Sequence, residues 1–264
     1  MSRGLKSLGK IVSIVNQKGG VGKTTSAVNL AAGLGLAGKK VLLVDIDPQG
    51  NSTSGYGINK KDVKNSSYDL LINGASVRDT VIDTKFKNVS VVPSNMDLAG
   101  AEVELIDMEN RHEKLKSALL VVRESYDFIL IDCPPSLGLI TINALNASDT
   151  VLVPIQCEYY ALEGLSQLIS SIRQVKRLYN PALELEGVLL TMYDGRLNLT
   201  QQVVGEIKRY FADKLFSSVI PRGVRLSEAP SYGMPIQYYD KHSKGSGAYN
   251  ALAKEFLKRN KGWK

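Results

Sequence analysis

The sequence predicts an α/β fold: a single doubly wound, mainly parallel sheet with helices on both of its faces. Three observations predict this fold. Short β-branched runs alternate with longer helical patterns, most of these runs are apolar without polar alternation, and a glycine-rich turn joins the first run to the first helix. Unalternating apolar runs are typical of strands that are buried on both faces of a sheet.

The predicted elements follow one another without an evident linker. Strands are predicted over residues 11–15, 41–45, 89–93, 128–132, 150–154, 185–191 and 218–221, and helices over residues 23–37, 113–124, 140–147, 162–178, 199–215 and 248–259. Residues 51–83 are punctuated by Gly, Asn and Ser, so we expect a surface excursion there. The pattern as a whole predicts one domain over residues 1–264.

The composition is that of a globular protein with an ordinary core. The chain has 264 residues, of which 44% are hydrophobic and 22% are charged. Its apolar runs are shorter than the roughly 20 residues of a membrane span, and residues 1–10 are basic without an apolar segment, which predicts a cytoplasmic protein. Cys133 and Cys157 lie in apolar runs, so we expect two small core residues rather than a disulfide.

The net charge of +7 is distributed unevenly along the chain. Residues 1–170 contain 17 Lys and Arg against 18 Asp and Glu, whereas residues 171–264 contain 16 against 8. The basic final third favours a polyanionic partner, either nucleic acid or an anionic membrane surface, although a solvated lysine-rich face is the commoner cause of a charge cluster.

A phosphate-binding motif lies between the first predicted strand and the first predicted helix. Its glycines let consecutive backbone N–H groups turn towards a phosphate, Lys23 can reach the β- and γ-phosphates, and the Thr24 hydroxyl can bind Mg²⁺. Gln17 stands where the Walker A pattern GxxxxGK[ST] has its first glycine, so the run resembles the deviant Walker A motif KGGxGK[ST], with Lys18 as the extra lysine. A glycine-rich turn with incidental lysines does not explain this context. The predicted MgATP site contains Lys18, Gly19, Gly20, Val21, Gly22, Lys23, Thr24 and Thr25.

Acidic residues follow two other predicted strands. Asp45 and Asp47 end the second strand, and Asp132 ends the strand at 128–132. The carboxyl ends of parallel strands are where such a sheet presents its ligand site. We therefore interpret Asp132 as the Walker B carboxylate that holds Mg²⁺ through water, and Asp47 as the residue that orients the attacking water. Either Asp alone could be a turn or helix-cap residue.

Five segments carry a resemblance to a known family. Residues 18–25, 45–51, 132–136, 157–164 and 225–230 resemble the corresponding motifs of the ParA/Soj family of partition ATPases, in the MinD/ParA superfamily of deviant Walker A proteins. The resemblance spans nearly the whole chain, and its last two segments are narrower signals than the phosphate motif. With ten residues before the first predicted strand, the chain resembles the short chromosomal members, for which sequence-specific operator binding is not expected.

The resemblance implies an ATP-dependent sandwich homodimer. In such a dimer Lys18 crosses to the phosphates of the partner subunit, and Gly19 and Gly20 lie where the two chains meet. It also implies that the adenine lies near Pro221 and Arg222, after the last predicted strand.

The resemblance further implies two macromolecular partners. The ATP dimer binds DNA without sequence preference, and a ParB-type centromere-binding protein stimulates hydrolysis, so the protein is expected to associate with the nucleoid. Arg196 and Arg225 match the DNA-contacting positions of the family, and Lys241, Lys244 and Lys254 are weaker candidates. Phosphate contacts alone give affinity without sequence information.

Two other classes of protein share parts of this pattern. A MinD-like membrane recruiter is suggested by the apolar face of the basic C-terminal helix, formed by Tyr249, Leu252, Ala253, Phe256 and Leu257. Their spacing is also that of a helix docked on a core, which we favour, so we expect no stable membrane binding. An iron-sulfur carrier would use the two cysteines of each subunit in a dimer, but the sequence has no CxxC pair.

Overall fold

The computed structural model describes residues 8–158 and 161–263. Its strands are β1 (Lys10–Ile14), β2 (Val41–Asp45), β3 (Ile82–Asp83), β4 (Val89–Val92), β5 (Phe128–Asp132), β6 (Thr150–Gln156) and β7 (Glu184–Thr191). Its α-helices are α1 (Lys23–Leu36), α2 (Asn51–Gly55), α3 (Val77–Thr80), α4 (Ala101–Glu104), α5 (Lys114–Leu120), α6 (Leu139–Ala147), α7 (Ala161–Leu178), α8 (Asn198–Phe211), α9 (Val224–Glu228), α10 (Ile236–Tyr239) and α11 (Lys244–Arg259). A π-helical turn lies at Asp69–Asn73.

The described strands form one sheet in the order β3-β4-β2-β5-β1-β6-β7. Every described pair is parallel except β3 with β4. This arrangement confirms the predicted doubly wound, mainly parallel α/β fold. The strand order reverses at β1, which lies between β5 and β6. The carboxyl end of β1 is therefore the topological switch point, where sheets of this kind bind ligands.

Two buried clusters cover the two faces of the sheet. Successive residues of a strand point to opposite faces, so Ile11 and Val12 of β1 belong to different clusters. One cluster includes side chains from α5, α6, α7 and α8, and the other includes side chains from α1 and α11. Helix α1 is buried almost all round, because Gly33 lets α11 approach closely: a Cβ atom there would lie 2.9 Å from the Cβ of Ala253.

The structure corrects two predicted elements. Residues 218–221 form no strand; Leu215 and Pro221 make only isolated bridges to Val188 and Tyr193 beside β7. Proline has no N–H to donate to a continuous ladder, and the segment is held by separate bonds such as that from the Ile220 N–H to the Leu190 carbonyl, 2.9 Å.

The other correction concerns the predicted surface excursion at residues 51–83. The segment contains α2, α3 and the short strand β3, and it contributes Tyr56, Leu70, Leu71 and Val77 to the buried clusters. Its turn residues suggested exposure, but its short apolar pieces are buried in the two clusters. The expectation that it contributes no core element was therefore wrong.

The C-terminal helix is docked as the core interpretation predicts. Tyr249, Leu252, Ala253 and Phe256 are buried in the cluster that α11 shares with α1, and Leu257 packs against that cluster. Among the described residues, no helix has the length and apolarity needed to cross a membrane. Cys133 is fully buried, as predicted, and Cys157 is half-buried.

Candidate nucleotide-binding site

The loop between β1 and α1 has the backbone geometry of a phosphate cradle. Gly20 (φ 73°) and Gly22 (φ 84°) adopt left-handed conformations that L side chains rarely adopt. Gly22 is also the N-cap of α1, and it has no side chain with which to cap the helix. The first N–H groups of α1, together with the positive end of its dipole, are consequently available to an anion.

Lys23 is the first residue of α1, and its ammonium group points back over the loop. The Nζ atom donates a hydrogen bond to the carbonyl of Lys18 at 3.1 Å. Burial lowers the pKa of Lys23, and the nearby carboxylates of Asp132 and Asp47 act in the opposite direction. These three residues, predicted to share one site, therefore lie within electrostatic reach of one another.

Strand register places two carboxylates side by side. Asp45 of β2 and Asp132 of β5 are directly paired and fully buried. Burial raises the pKa of both groups, and the charge of Asp45 raises the pKa of Asp132 further. Cations bound at this edge of the sheet would favour the ionised forms of both carboxylates.

The hydrogen-bond partners of these carboxylates differ. Asp45 accepts bonds from the N–H and the hydroxyl of Thr53 (2.8 and 2.7 Å) and from the N–H of Asp47 (3.2 Å). Asp132 accepts one bond from the Ser52 hydroxyl at 2.7 Å through Oδ2. Its Oδ1 atom is buried and has no hydrogen-bond partner among the described residues.

This geometry fits a bound Mg²⁺ ion. The neighbouring hydroxyls of Ser52 and Thr24 favour the charged form of Asp132. A carboxylate oxygen with unused acceptor capacity, beside a threonine hydroxyl at a helix N-terminus, supplies the oxygen donors that Mg²⁺ prefers. Thr24 and Asp132 are thus brought together as predicted, although the described residues contain no group of three or more His, Cys, Asp or Glu suited to an all-protein metal cage.

Asp47 lies two residues beyond β2, where its backbone turns across the end of the sheet. Its Oδ1 atom accepts a hydrogen bond from the Gln49 N–H at 2.9 Å. That bond fixes the direction of the carboxyl group and leaves acceptor capacity for a water molecule. The side chain is mostly buried but not sealed off, in contrast to Asp45.

A cavity of about 490 Å³ adjoins the phosphate loop. It brings Gly22 and Thr25 together with Pro221 and Arg222, the two residues predicted to lie near the adenine. Its other walls are mainly apolar, with contributions from Ile220, Leu226 and Tyr249. The Thr191 hydroxyl at the end of β7 donates to the Val21 carbonyl at 2.8 Å and so fixes this wall against the loop.

Lys18 projects away from this cradle. Its side chain is more than half exposed and forms an ion pair with Glu158, while its N–H bonds to the Asn16 side chain at 2.9 Å. Gly19 and Gly20 are exposed, and a Cβ atom at Gly19 would meet no other atom of the described residues within 4 Å. Tyr159 and Tyr160, which belong to the motif at residues 157–164, lie outside the described residues.

The two arginines that match DNA-contacting positions lie on the surface, outside the nucleotide site. The side chain of Arg196 is 88% exposed and forms a bidentate pair with Asp194, at 2.9 and 2.7 Å. That of Arg225 is 59% exposed and pairs with Glu228 at 2.9 Å. Exposed ion pairs contribute little to stability, so a phosphate can compete for either guanidinium. Lys241, Lys244 and Lys254 are exposed as well.

Sequence reasoning missed the hydroxyl residues that support the carboxylates. Ser52 and Thr53 lie in the first turn of α2 and donate to Asp132 and Asp45, respectively. The sequence did contain a signal for them, because two adjacent hydroxyl residues follow shortly after Asp45 and Asp47. Without the register of β2 and β5, however, that signal does not say which carboxylate each residue meets.

Comparison with known proteins places this geometry in context. A family model described as an AAA domain matches residues 9–185. The chain is 58% identical over 248 residues to the sporulation initiation inhibitor protein Soj of Bacillus subtilis, covering 94% of this chain and 98% of that protein. It is 52% identical over 258 residues to the chromosome partitioning protein ParA of Myxococcus xanthus, covering 98% and 91%.

A solved structure with bound nucleotide has a similar fold. The structure of a cobyrinic acid a,c-diamide synthase from Mycobacterium smegmatis, with a bound ATP analogue and magnesium, superposes with a TM-score of 0.84 and 34% identity. The match covers 97% of this chain and 98% of that one. Nucleotide and Mg²⁺ thus bind to a protein that shares this fold over nearly its whole length.

Proposed function

The chain belongs to the ParA/Soj family of chromosome-partitioning ATPases, and from that premise we propose that it is a DNA-segregation ATPase that cycles between a DNA-bound ATP dimer and a free monomer. The observation that carries the proposal is that Lys23, Thr24, Asp47 and Asp132 lie together at the N-terminus of α1, which has no side-chain cap. The reaction is the hydrolysis of ATP to ADP and phosphate.

In this proposal the loop and the first turn of α1 hold the phosphates through their N–H groups. Lys23 neutralises the β- and γ-phosphates, and Thr24 and Asp132 hold Mg²⁺, which when bound offsets the charge of the phosphates during transfer. Asp47 accepts a hydrogen bond from the attacking water and sets its direction. The cavity beside Pro221 and Arg222 receives the adenine between largely apolar walls.

Lys18 has its role in the partner subunit. Its exposed side chain is paired only with Glu158 among the described residues, so a stronger anion can attract it away. The open space above Gly19 and Gly20 leaves room for another chain to approach the loop. Two subunits arranged in this way enclose two nucleotides, and each contributes Lys18 to the phosphates of the other.

DNA binding depends on the dimer because two subunits double the number of cationic contacts. The exposed Arg196 and Arg225, with the basic residues of the final third, contact phosphates rather than bases. Such contacts give affinity without sequence preference. Hydrolysis separates the subunits and releases the DNA, and a ParB-type partner accelerates that step.

Measuring DNA binding with ATP, with ADP and without nucleotide tests this proposal. We expect binding of unrelated duplexes at similar affinity with ATP, and weak binding in the other two states. Equal DNA binding in all three states would show that the nucleotide does not control the DNA contact, and the proposed cycle would fail.

A further inference from the structure

Residues 96–107 form a continuous helical ribbon with apolar side chains on both sides. It consists of a 3₁₀ turn at Met96–Gly100, α4 and a second 3₁₀ turn at Leu105–Asp107. On the inner side, Leu98, Ala101 and Leu105 are buried in the core. On the outer side, Met96, Val103 and Ile106 are 62%, 70% and 52% exposed. Three large apolar side chains exposed together on one short segment mark a candidate contact surface.

The outer face of this ribbon is strongly acidic as well as apolar. Residues 96–109 contain five carboxylates and no Lys or Arg, in a chain whose net charge is +7. The carboxylates belong to Asp97, Glu102, Glu104, Asp107 and Glu109, of which Glu102 bonds to the backbone of α6 and the other four are exposed. Arg111 donates to the Ile106 carbonyl, and residues 96–111 together carry a net charge of −4, which disfavours nucleic acid and anionic lipid. It is complementary to a segment that combines cationic and apolar side chains.

The ribbon is connected to both carboxylate loops of the nucleotide site. Two residues before its start, the Ser94 N–H donates to the Thr53 hydroxyl at 2.9 Å, and that hydroxyl donates to Asp45. In its middle, the Glu102 carboxylate accepts bonds from the N–H groups of Leu139 and Ile140 (2.8 and 3.3 Å), in the first turn of α6. Residues 133–138 alone separate this turn from Asp132.

We propose that the outer face, defined by Met96, Val103, Ile106, Asp107 and Glu109, is a docking surface for a basic amphipathic segment of a partner protein. The apolar side chains of that segment cover Met96, Val103 and Ile106, and its cations pair with the surrounding carboxylates. Hydrogen bonds of Ser94, just before the ribbon, and of Glu102, within it, join the ribbon to the segments that follow Asp45 and Asp132. The proposal does not depend on DNA binding or on the ATP dimer.

The test uses the full chain and a fluorescein-labelled synthetic peptide of 16 residues, with leucines on one helical face and lysines on the other. A peptide of the same composition in scrambled order is the control probe. By fluorescence anisotropy we expect wild type to prefer the amphipathic peptide. Val103→Glu and the double variant Asp107→Lys/Glu109→Lys should each weaken its binding about tenfold. The matched control is Val121→Glu, which changes a 57% exposed valine at the end of α5 and should bind like wild type.

Thermal melting establishes that each variant is folded, and the charge-reversal variant decides the result if Val103→Glu is not. The proposal is overturned if wild type binds both peptides alike, or if folded outer-face variants bind as wild type does. Sedimentation with ATP tests the other possible occupant of the outer face, which is a second copy of this chain. If Val103→Glu alone abolishes an ATP dimer, the outer face is a contact with a second copy of this chain and the partner segment is excluded.

Discussion

Two carboxylates paired in adjacent strands have different tasks because their neighbours differ. Thr53 and the backbone of Asp47 engage Asp45, which therefore braces the loop that leads to α2. Asp132 keeps one oxygen that has no hydrogen-bond partner among the described residues. A buried acceptor that is not satisfied is costly unless a ligand completes it. At the level of single residues, this contrast supports the proposal that Asp132, rather than Asp45, contacts the metal.

The first prediction separates nucleotide binding from hydrolysis. Lys23→Ala removes the charge that faces the phosphates, so nucleotide binding should be lost. Asp47→Ala leaves that charge in place, so the variant should bind ATP, fail to hydrolyse it and accumulate as dimer. Equilibrium binding of a fluorescent ATP analogue and phosphate release measure the two effects. Hydrolysis by Asp47→Ala at the wild-type rate would show that Asp47 does not orient the water.

At the scale of single elements, the phosphate loop has one surface towards the nucleotide and another towards solvent. Gly20 and Gly22 are required by their positive φ angles, whereas Gly19 has no such angle and no close neighbour among the described residues. A side chain at Gly19 therefore costs the monomer little. Any penalty must come from a molecule that approaches the loop from outside.

A second prediction follows for Gly19→Val. The variant should bind ATP with nearly wild-type affinity, because Lys23 and Thr24 are unchanged, yet it should remain monomeric because the isopropyl group occupies the space that the partner needs. Sedimentation velocity with ATP measures this. Gly164→Val is the matched control, since a Cβ at Gly164 also meets nothing within 4 Å of the described chain. A normal ATP dimer of Gly19→Val would remove Gly19 from the interface.

Lys10 and Glu186 form a buried ion pair near the amino-terminal ends of their strands, away from the phosphate loop. This pair helps to hold the end of α11. Glu186 of β7 accepts bonds from Lys10 of β1, from the Thr150 hydroxyl (2.7 Å) and from the Asn260 side chain (2.7 Å). Both charged side chains are almost fully buried. Removal of one partner leaves a buried charge without compensation, which strongly reduces the free energy of unfolding.

The third prediction is therefore one of stability. Glu186→Ala should reduce the free energy of unfolding by about 3–5 kcal/mol. The double variant Lys10→Met/Glu186→Leu, which removes both charges and keeps the volume, should lose much less. Urea denaturation followed by circular dichroism measures both. If the single variant were as stable as wild type, the ion pair would not contribute to holding α11.

At the scale of the whole molecule, opposite charges occupy different regions. The basic final third contains the exposed arginines proposed to meet DNA, and the acidic outer face of residues 96–107 would repel it. Arg196 and Arg225 are paired with carboxylates of their own chain, so DNA phosphates must replace those partners. A contact of this kind is expected to be weak singly and to depend on the number of arginines that act together.

The fourth prediction concerns Arg225→Ala. The variant should bind unrelated DNA sequences more weakly to a similar degree and still dimerise with ATP. The slope of log affinity against log salt should fall by about 0.9 for each lost phosphate contact, or roughly twice that if one contact is lost per subunit. Filter binding over a salt series measures the slope. Lys61→Ala is a matched control at an exposed cation outside the basic final third. Wild-type affinity and slope in Arg225→Ala would exclude Arg225 as a DNA contact.

The sequence alone determined those features that depend on local pattern. The parallel fold, most of its strands and helices, and the order of strand, loop and helix at residues 10–23 all follow from short-range periodicity and from glycine positions. The placement of Asp45, Asp47 and Asp132 at strand ends was also predictable, since every strand that precedes a ligand site ends at the same edge. Whether residues 1–264 act as one domain stays a prediction.

Only the tertiary structure decided which residues meet. The antiparallel strand β3, the loss of the predicted strand at 218–221 and the core residues within 51–83 each depend on packing against a neighbour that is distant in sequence. The bond from Ser52 to Asp132 spans 80 residues, and that from Lys10 to Glu186 spans 176. Such contacts depend on strand register and on the path of the chain, and local propensity carries no record of either.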